Sequence, residues 1–300
     1  MNDRQVTPLL VGLGEVLWDL LPGGRQLGGA PANFAYHAQA LGARGVVASA
    51  VGDDELGREI LARLDALGLD RSAVQVDHRH PTGTVSVQVD ADGHPQYVIH
   101  EDVAWDFIEA TGELTALAGR ADAVCFGSLA QRAPASRAAI RRFLKLTPRE
   151  CLRIFDINLR QSYYDRQVIA ESLDVADVLK LNVDELTAIT DLFDLPGGED
   201  QAARAMLHRF GLTLVAVTRG SAGSVLITKD QVSSCPPQQV KVADTVGAGD
   251  AFTAALALGM LTDRPLDLTH RHAARLAAYV CTQVGATPEL PADLAGPGVT

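Results

Sequence analysis

The chain has 300 residues, 47% of them apolar and 21% charged, an ordinary globular balance that excludes intrinsic disorder. Lys and Arg number 26 against 37 Asp and Glu, a formal charge of −11. An acidic surface repels phosphate backbones and anionic membranes, which excludes nucleic acid and lipid as natural partners but leaves room for a local pocket for a small anion. No apolar run approaches the ~18 residues of a membrane helix; the longest, Ala251–Leu261, is short and follows a glycine loop. Met1 to Pro8 carries Asp3 and Arg4 and lacks the apolar stretch of a secretory signal. Cys125, Cys151, Cys235 and Cys281 form no Cys-x-x-Cys pair and read as free thiols of a reducing compartment. The expectation is a cytoplasmic enzyme, one domain over residues 1–300.

In chain order, short apolar runs alternate with helical patterns. Leu9–Leu13 reads as a buried strand, Ala32–Leu41 as a helix and Val46–Val51 as a strand. Glu55–Leu67 is an amphipathic helix, with Leu56, Ile60, Leu64 and Leu67 on one face. Ala123–Gly127, Arg153–Ile157, Val178–Leu181 and Leu214–Thr218 follow as strands separated by helix-length segments. Continuous apolar strands alternating with helices predict a mostly parallel sheet covered on both faces. The alternation breaks at Val16–Leu21, which ends in Pro22-Gly23-Gly24. It breaks again at Thr84–Val89 and Gln96–Ile99, which flank the hairpin signal Asp92-Gly93. These pieces, about 16–27 and 84–101, predict a small accessory sheet, a lid over a site. Its apolar positions Trp18, Val85, Val87 and Tyr97 could pair with a second copy to form a homodimer.

The strongest chemical signal is Asp244-Thr245-Val246-Gly247-Ala248-Gly249-Asp250, followed by an apolar helix. A glycine turn opening a helix presents free amides and the positive end of the helix dipole, so it stabilises an anion. A carboxylate inside such a turn repels that ligand unless Asp250 removes a proton from a hydroxyl while the amides neutralise phosphoryl oxygens. The competing explanation is an N-cap aspartate on a glycine turn. In Gly28-Gly29-Ala30-Pro31-Ala32-Asn33 the glycines allow close backbone approach and Asn33 offers a donor and an acceptor to a polyol, although a capped glycine turn would look the same. Asp19 ends the Gly14–Asp19 string near the first strand, where ligands bind in such folds.

Three further strings point to phosphate and metal. Asn182-Val183-Asp184-Glu185 can hold Mg²⁺ through water, or simply cap a helix. Thr218-Arg219-Gly220-Ser221-Ala222-Gly223 suits a terminal phosphate, or is a plain hairpin turn. In Asp156–Arg160, Arg160 either steers a polar or anionic ligand or pairs with an acid. No Gly-x4-Gly-Lys-[Ser/Thr] loop and no Gly-x-Ser-x-Gly elbow is present, and the third glycine of a dinucleotide fingerprint is replaced by Leu17. A nicotinamide oxidoreductase is therefore disfavoured. His78 and His80 beside Pro81 read as a solvated loop rather than a metal site.

Taken together, these strings resemble the ribokinase-like sugar kinases, the phosphofructokinase-B family, over roughly residues 9 to 290. Gly28–Asn33, with Gly42 and Gly52 downstream, is similar to the amino-terminal family signature and Asp244–Ala257 to the carboxy-terminal one. Pro81–Thr84, Val103–Asp106, Gly127–Arg132 and Asp156–Arg160 look most like bacterial fructokinases. The resemblance implies a three-layer α/β sandwich with a small β-sheet lid and an ATP-dependent kinase. Asp250 would be the base and Gly247, Ala248 and Gly249 the anion hole. Asp19, Gly28, Gly29, Asn33 and Arg160 would bind the sugar; Asn182, Thr218, Gly220 and Gly223 the nucleotide. Glu185 would hold Mg²⁺ through water, and Asp244 with Gln283–Thr287 a candidate monovalent cation such as K⁺. The implied reaction is D-fructose to fructose 6-phosphate. Alternatives are a 2-keto-3-deoxygluconate kinase, with Arg160 on the substrate carboxylate, and a catalytically silent sugar- or nucleotide-binding regulator. Leu17 stands where ribokinases proper carry Asn, which weakens a ribose assignment, and the short Asp19–Gly28 link implies a less extensive lid.

Overall fold

The computed structural model describes residues 7–21, 23–89 and 95–295. The Asp92-Gly93 turn signal, Pro22, Asp3 and Arg4 lie outside the described residues. Strand β1 (Leu9–Leu13) leads into β2 (Leu17–Leu21) and β3 (Gly24–Gly28), then α1 (Ala30–Ala40), β4 (Arg44–Gly52), α2 (Glu55–Ala66) and β5 (Asp70–Asp77). After β6 (Thr84–Val89) and β7 (Pro95–Ile99) come α3 (Gly112–Ala118), β8 (Ala123–Phe126), α4 (Pro134–Leu146), β9 (Leu152–Asp156), α5 (Arg166–Leu173) and β10 (Val178–Asn182). The chain continues through α6 (Val183–Phe193), α7 (Glu199–Arg209), β11 (Leu214–Thr218), β12 (Ser224–Ile227), β13 (Val232–Cys235), α8 (Ala248–Leu261) and α9 (Leu266–Cys281).

Nine strands form one sheet in the order β13-β12-β11-β10-β9-β8-β1-β4-β5, parallel except at β11–β12 and β12–β13. The parallel strands are the apolar runs read from the sequence. Strand β5 and the β12–β13 edge are additions: β5 is half-exposed and polar, so its composition does not mark it as a sheet member. Alternate residues of β1 serve opposite faces. Leu9, Val11 and Leu13 join one core cluster with β8–β11 and helices α3–α7, while Leu10 joins another with α1, α8 and α9. Helix α1 crosses β1 so closely that a Cβ on Gly12 would lie 1.9 Å from the Pro31 carbonyl oxygen. That approach sets where Gly29 and Asn33 stand. Helix α8 has no polar face: Asp250 to Gly259 are all buried, which explains why the Ala251–Leu261 run is apolar without spanning a membrane. No described helix is long and apolar enough to cross one.

The second sheet, β3-β2-β6-β7, has four strands and is mixed, with β2–β6 parallel and the outer pairs antiparallel. The expected apolar face for a second copy is corrected here. Trp18 is 8% exposed, its indole N–H donates to the Leu56 carbonyl at 3.1 Å, and Val85 is also 8% exposed within the main core. The register sets Trp18 beside Thr84 and Val85 beside Asp19, so the two lie on opposite faces, Trp18 against α2 and Val85 on the cavity side; of the four, Tyr97 is exposed, at 58%, and Val87 is half-buried. The thiols are free: Cys125, Cys151 and Cys235 are buried and Cys281 is half-buried.

Candidate active site

The direction of chain progression reverses between β1 and β8. From β1 it runs to β4 and β5, and from β8 it runs the other way to β11. In open α/β sheets such a switch point opens a crevice at the carboxyl ends of the strands. A cavity of about 1380 Å³ lies there. Glu15 enters it after β1, Leu129 after β8, Asn158 and Arg160 after β9, and Lys180 and Asn182 at the end of β10. Thr218 and Gly220 follow β11, and the start of α8 closes one side.

Gly247 is the N-cap of α8, in the left-handed region at φ 79°. A Cβ there would meet the Ala286 carbonyl oxygen at 2.6 Å, so both conformation and space call for glycine. The first-turn amides are those of Ala248, Gly249 and Asp250; the Ala248 N–H reaches Thr245 O at 3.4 Å. Asp250 is buried in this turn, and the Asn33 side-chain N–H donates to its Oδ2 at 2.8 Å. Burial pushes its pKa up to about 6, helped by the Asp156 charge and opposed by Lys180, the Asn33 hydrogen bond and Arg160.

Asp19, Gly28 and Gly29 line the same cavity, as does Asn33, which is bonded to Asp250. The space beside Gly28 is taken by Asp19: a Cβ would lie 2.5 Å from its Oδ2. Partial burial raises the Asp19 pKa, and Arg160 opposes the shift. Arg160 is exposed and donates to the Leu159 carbonyl at 3.0 Å; no carboxylate among the described residues is within ion-pair distance of it. The neighbouring Gln161 side chain donates to the Tyr97 carbonyl at 2.6 Å, tying this loop to β7 of the small sheet.

Two sequence-derived expectations meet their simpler alternatives in local geometry. Asn182 and Glu185 form a reciprocal cap: Asn182 Oδ1 accepts the Glu185 N–H and Glu185 Oε2 accepts the Asn182 N–H, each at 2.8 Å. Glu185 Oε1 accepts the Leu159 N–H at 3.0 Å, and its side chain is not in the cavity wall, whereas Asn182 is. Thr218 to Gly223 forms the turn of the β11–β12 hairpin, and Thr218, Gly220 and Gly223 all face the cavity. Asp244 stands outside the wall. Its oxygens accept the Val246 and Gly285 N–H groups, each at 3.1 Å, which places it beside the Gln283–Thr287 segment as expected.

Two buried charges in the site escaped sequence reasoning. Glu15 lines the cavity floor, and burial pushes its pKa up to about 7; its Oε2 has no partner among the described residues. Lys180 is an ammonium within an apolar strand, paired with Asp156 at 3.0 Å. A lysine inside Val178–Leu181 was the available signal, and nothing in the linear pattern marks its partner. The Pro236–Val242 segment and Ala274, Ala277 and Cys281 of α9 form a further wall that only the tertiary arrangement reveals.

The fold and this arrangement are those of a sugar kinase, and the chain belongs to the pfkB family of carbohydrate kinases, whose family model matches residues 23–293. It is 35% identical over 260 residues to a fructokinase of Klebsiella pneumoniae, covering 83% of each chain. It is 30% identical over 312 residues to fructokinase-1 of Oryza sativa subsp. japonica, covering 95% of each. Among solved structures it is similar to an uncharacterized sugar kinase of Pyrococcus horikoshii in complex with ATP, with a TM-score of 0.77, 28% identity and 94% of each chain covered.

Proposed function

We propose that this protein is an ATP-dependent ketohexose kinase converting D-fructose to fructose 6-phosphate, working in the cytoplasm. The observation that carries the reading is Asp250, a buried carboxylate inside a helix-start turn, bonded to Asn33 and sharing one cavity with Asp19, Gly28 and Gly29. The fructokinase names of the two relatives and the ATP held by the Pyrococcus horikoshii structure support the choice of substrates.

In this reading Asp19, the Gly28 and Gly29 backbone and Asn33 orient the sugar, with its primary hydroxyl against Asp250. The raised pKa of Asp250 suits a base working near neutral pH. Asn33 holds the carboxylate in place while Asp250 takes the hydroxyl proton, and the hydroxyl oxygen attacks the terminal phosphorus of ATP in line. The α8 amides stabilise the charge gathering on the transferred oxygens. Thr218, Gly220, Gly223 and Asn182 hold the remaining phosphates, and the Pro236–Val242 wall with Ala274 and Ala277 takes the base. Gln161, bound to β7, lets the small sheet close over the sugar and exclude water.

Mg²⁺ arriving with the nucleotide would neutralise phosphate charge, and Asn182, in the cavity wall, is the residue that would reach its waters. Glu185 stands behind the wall with both oxygens on backbone N–H groups and would act by holding Asn182 in place. Asp244, fixed against Gly285, is the residue that would serve a monovalent cation such as K⁺. Arg160 favours a second reading, a 2-keto-3-deoxygluconate kinase, because its guanidinium faces the cavity without an acid partner; Asp19 and Glu15 in the same region oppose an anionic substrate.

ADP release with Mg-ATP over a sugar panel headed by D-fructose, beside Asp250→Asn, tests the reading. Turnover on fructose that collapses in the variant supports it. A strong preference for the keto-acid replaces fructose, and a folded protein that binds ATP but turns over no sugar is a regulator.

A further inference from the structure

Lys180 is one of four lysines in the chain and lies in an apolar strand, where an ammonium group is costly unless paired. Its Nζ donates to Asp156 Oδ1 at 3.0 Å, and Asp156 Oδ2 accepts from the Thr253 hydroxyl of α8 at 2.8 Å. Asp156 uses one of three ammonium hydrogens, and Lys180 also lines the cavity. On its other side Nζ lies 2.7 Å from the position a Cβ on Gly249 would occupy. The charge therefore rests against the second residue of α8, beside the first-turn amides. Burial acts to lower the lysine pKa, but Asp156, Glu185 and Asp250 outweigh it and raise the pKa, so the group stays charged.

A buried ion pair contributes little stability over a well-packed apolar pair, so stability alone is a weak reason for this one. Its position is the informative feature, because helix dipole, free amides and ammonium converge on one point. We propose that Lys180 belongs to the phosphoryl-binding site, where its ammonium, held by Asp156, adds a fixed positive charge beside the Gly247–Asp250 turn and stabilises the transferred phosphoryl group. The proposal rests on the sugar-kinase reading of the site. No bond forms or breaks at Lys180 and its protons stay in place: the phosphoryl passes to the hydroxyl oxygen, ADP leaves, and the hydroxyl proton goes to Asp250. The absence of a side chain at Gly249 follows, since a methyl group there would displace the ammonium.

The test is a cycle of wild type, Asp156→Asn, Lys180→Met and the double variant. The full chain is assayed with Mg-ATP and whichever sugar the wild type turns over. If Lys180 only neutralises Asp156, its removal is harmless once residue 156 is neutral. We expect instead that Lys180→Met lowers kcat about 10²-fold on both backgrounds, with KM for the sugar within about twofold. Lys180→Met alone leaves a buried carboxylate unpaired and can misfold. The double variant and Asp156→Asn carry no such carboxylate, and their comparison decides the matter. A double variant as fast as Asp156→Asn overturns the proposal alone. A wild type that turns over no sugar overturns the sugar-kinase reading and this proposal with it.

Discussion

The two walls of the cavity are built on opposite plans. On the side proposed to take phosphate the chemical groups are backbone amides and side chains locked into the core: Asp250, Asp156, Lys180 and Thr253 are all buried and bonded to one another or to Asn33. On the side proposed to take the sugar the groups sit on a four-stranded sheet that turns one face to the cavity, lined by Val85, Ile99 and the exposed Tyr97, and carries the exposed Leu20 on the other. The first plan gives preorganisation, because dipoles and charges that cannot relax need no reorganisation during the reaction. In the proposed reading the second leaves substrate choice to small-sheet positions such as Asp19 that lie outside the core clusters. Reaction type would then rest on the buried wall and sugar identity on the more exposed one.

The largest break in that contrast comes from removing the base. Asp250→Asn lowers turnover by at least ~10²-fold in the coupled ADP-release assay. The same variant melts at a higher temperature than wild type at pH 7.5. The fold raises the Asp250 pKa from 3.8 to about 6, so the protonated form is the one it favours. The associated stability is present below about pH 4 and is lost as the pH rises through 6, which costs on the order of 2–3 kcal/mol at pH 7.5. Asparagine avoids that cost, so the gain in melting temperature shrinks toward pH 4. No gain at pH 7.5 would mean that Asp250 is not under this electrostatic load.

Next in size is Gly247→Ala. It places a Cβ 2.6 Å from the Ala286 oxygen at a φ of 79°, distorting the turn itself. Turnover falls more than ~10-fold and stability by about 1–3 kcal/mol, measured by urea titration. The sugar wall answers differently. Asp19→Ala raises KM for fructose about 10-fold through loss of one charged hydrogen bond, with kcat and melting temperature little changed. A comparable loss of kcat would erase the division of labour between the walls.

The smallest effect concerns pH. Asp250 must be ionised to act, so kcat/KM falls below an apparent pKa near 6. Burial, helped by the Asp250 charge, raises the Glu15 pKa to about 7, so Glu15 is protonated while Asp250 titrates near 6, and Glu15→Gln leaves that acid limb essentially in place. A limb that moves down by about one full pH unit would mean that Glu15 is charged when Asp250 titrates.

The central sheet was legible because its strands are short apolar runs between helices, a one-dimensional signal. Strands β5 and β13 were not, because these edge strands are half-wet and carry residues such as Asp70, Arg71 and Ser234 that do not alternate cleanly, and the buried β12 is only four residues long. Trp18 and Val85 were misread as a surface for a second copy. Strand alternation separates two faces without saying that each finds a cover, and here Trp18 packs against α2 on one face while Val85 joins the main core on the other. The site divides in the same way. The Gly247–Asp250 turn could be read directly, since free amides at a helix start are a property of four consecutive residues. Asn182 and Glu185 are likewise a local pair, three residues apart, and their mutual cap is what the spacing implies.

Other features needed the folded chain. The bond between Asn33 and Asp250 spans 217 residues, and only the crossing of α1 over β1 beside Gly12 brings the two together. Glu15 and Lys180 are ordinary charged residues in the sequence. They gain their properties from burial, because a charge removed from water shifts its pKa or finds a partner, and the packed surroundings settle which. Backbone geometry and periodicity are local, and so they are written along the chain; the dielectric around a side chain and the identity of its distant partner are properties of the assembled interior.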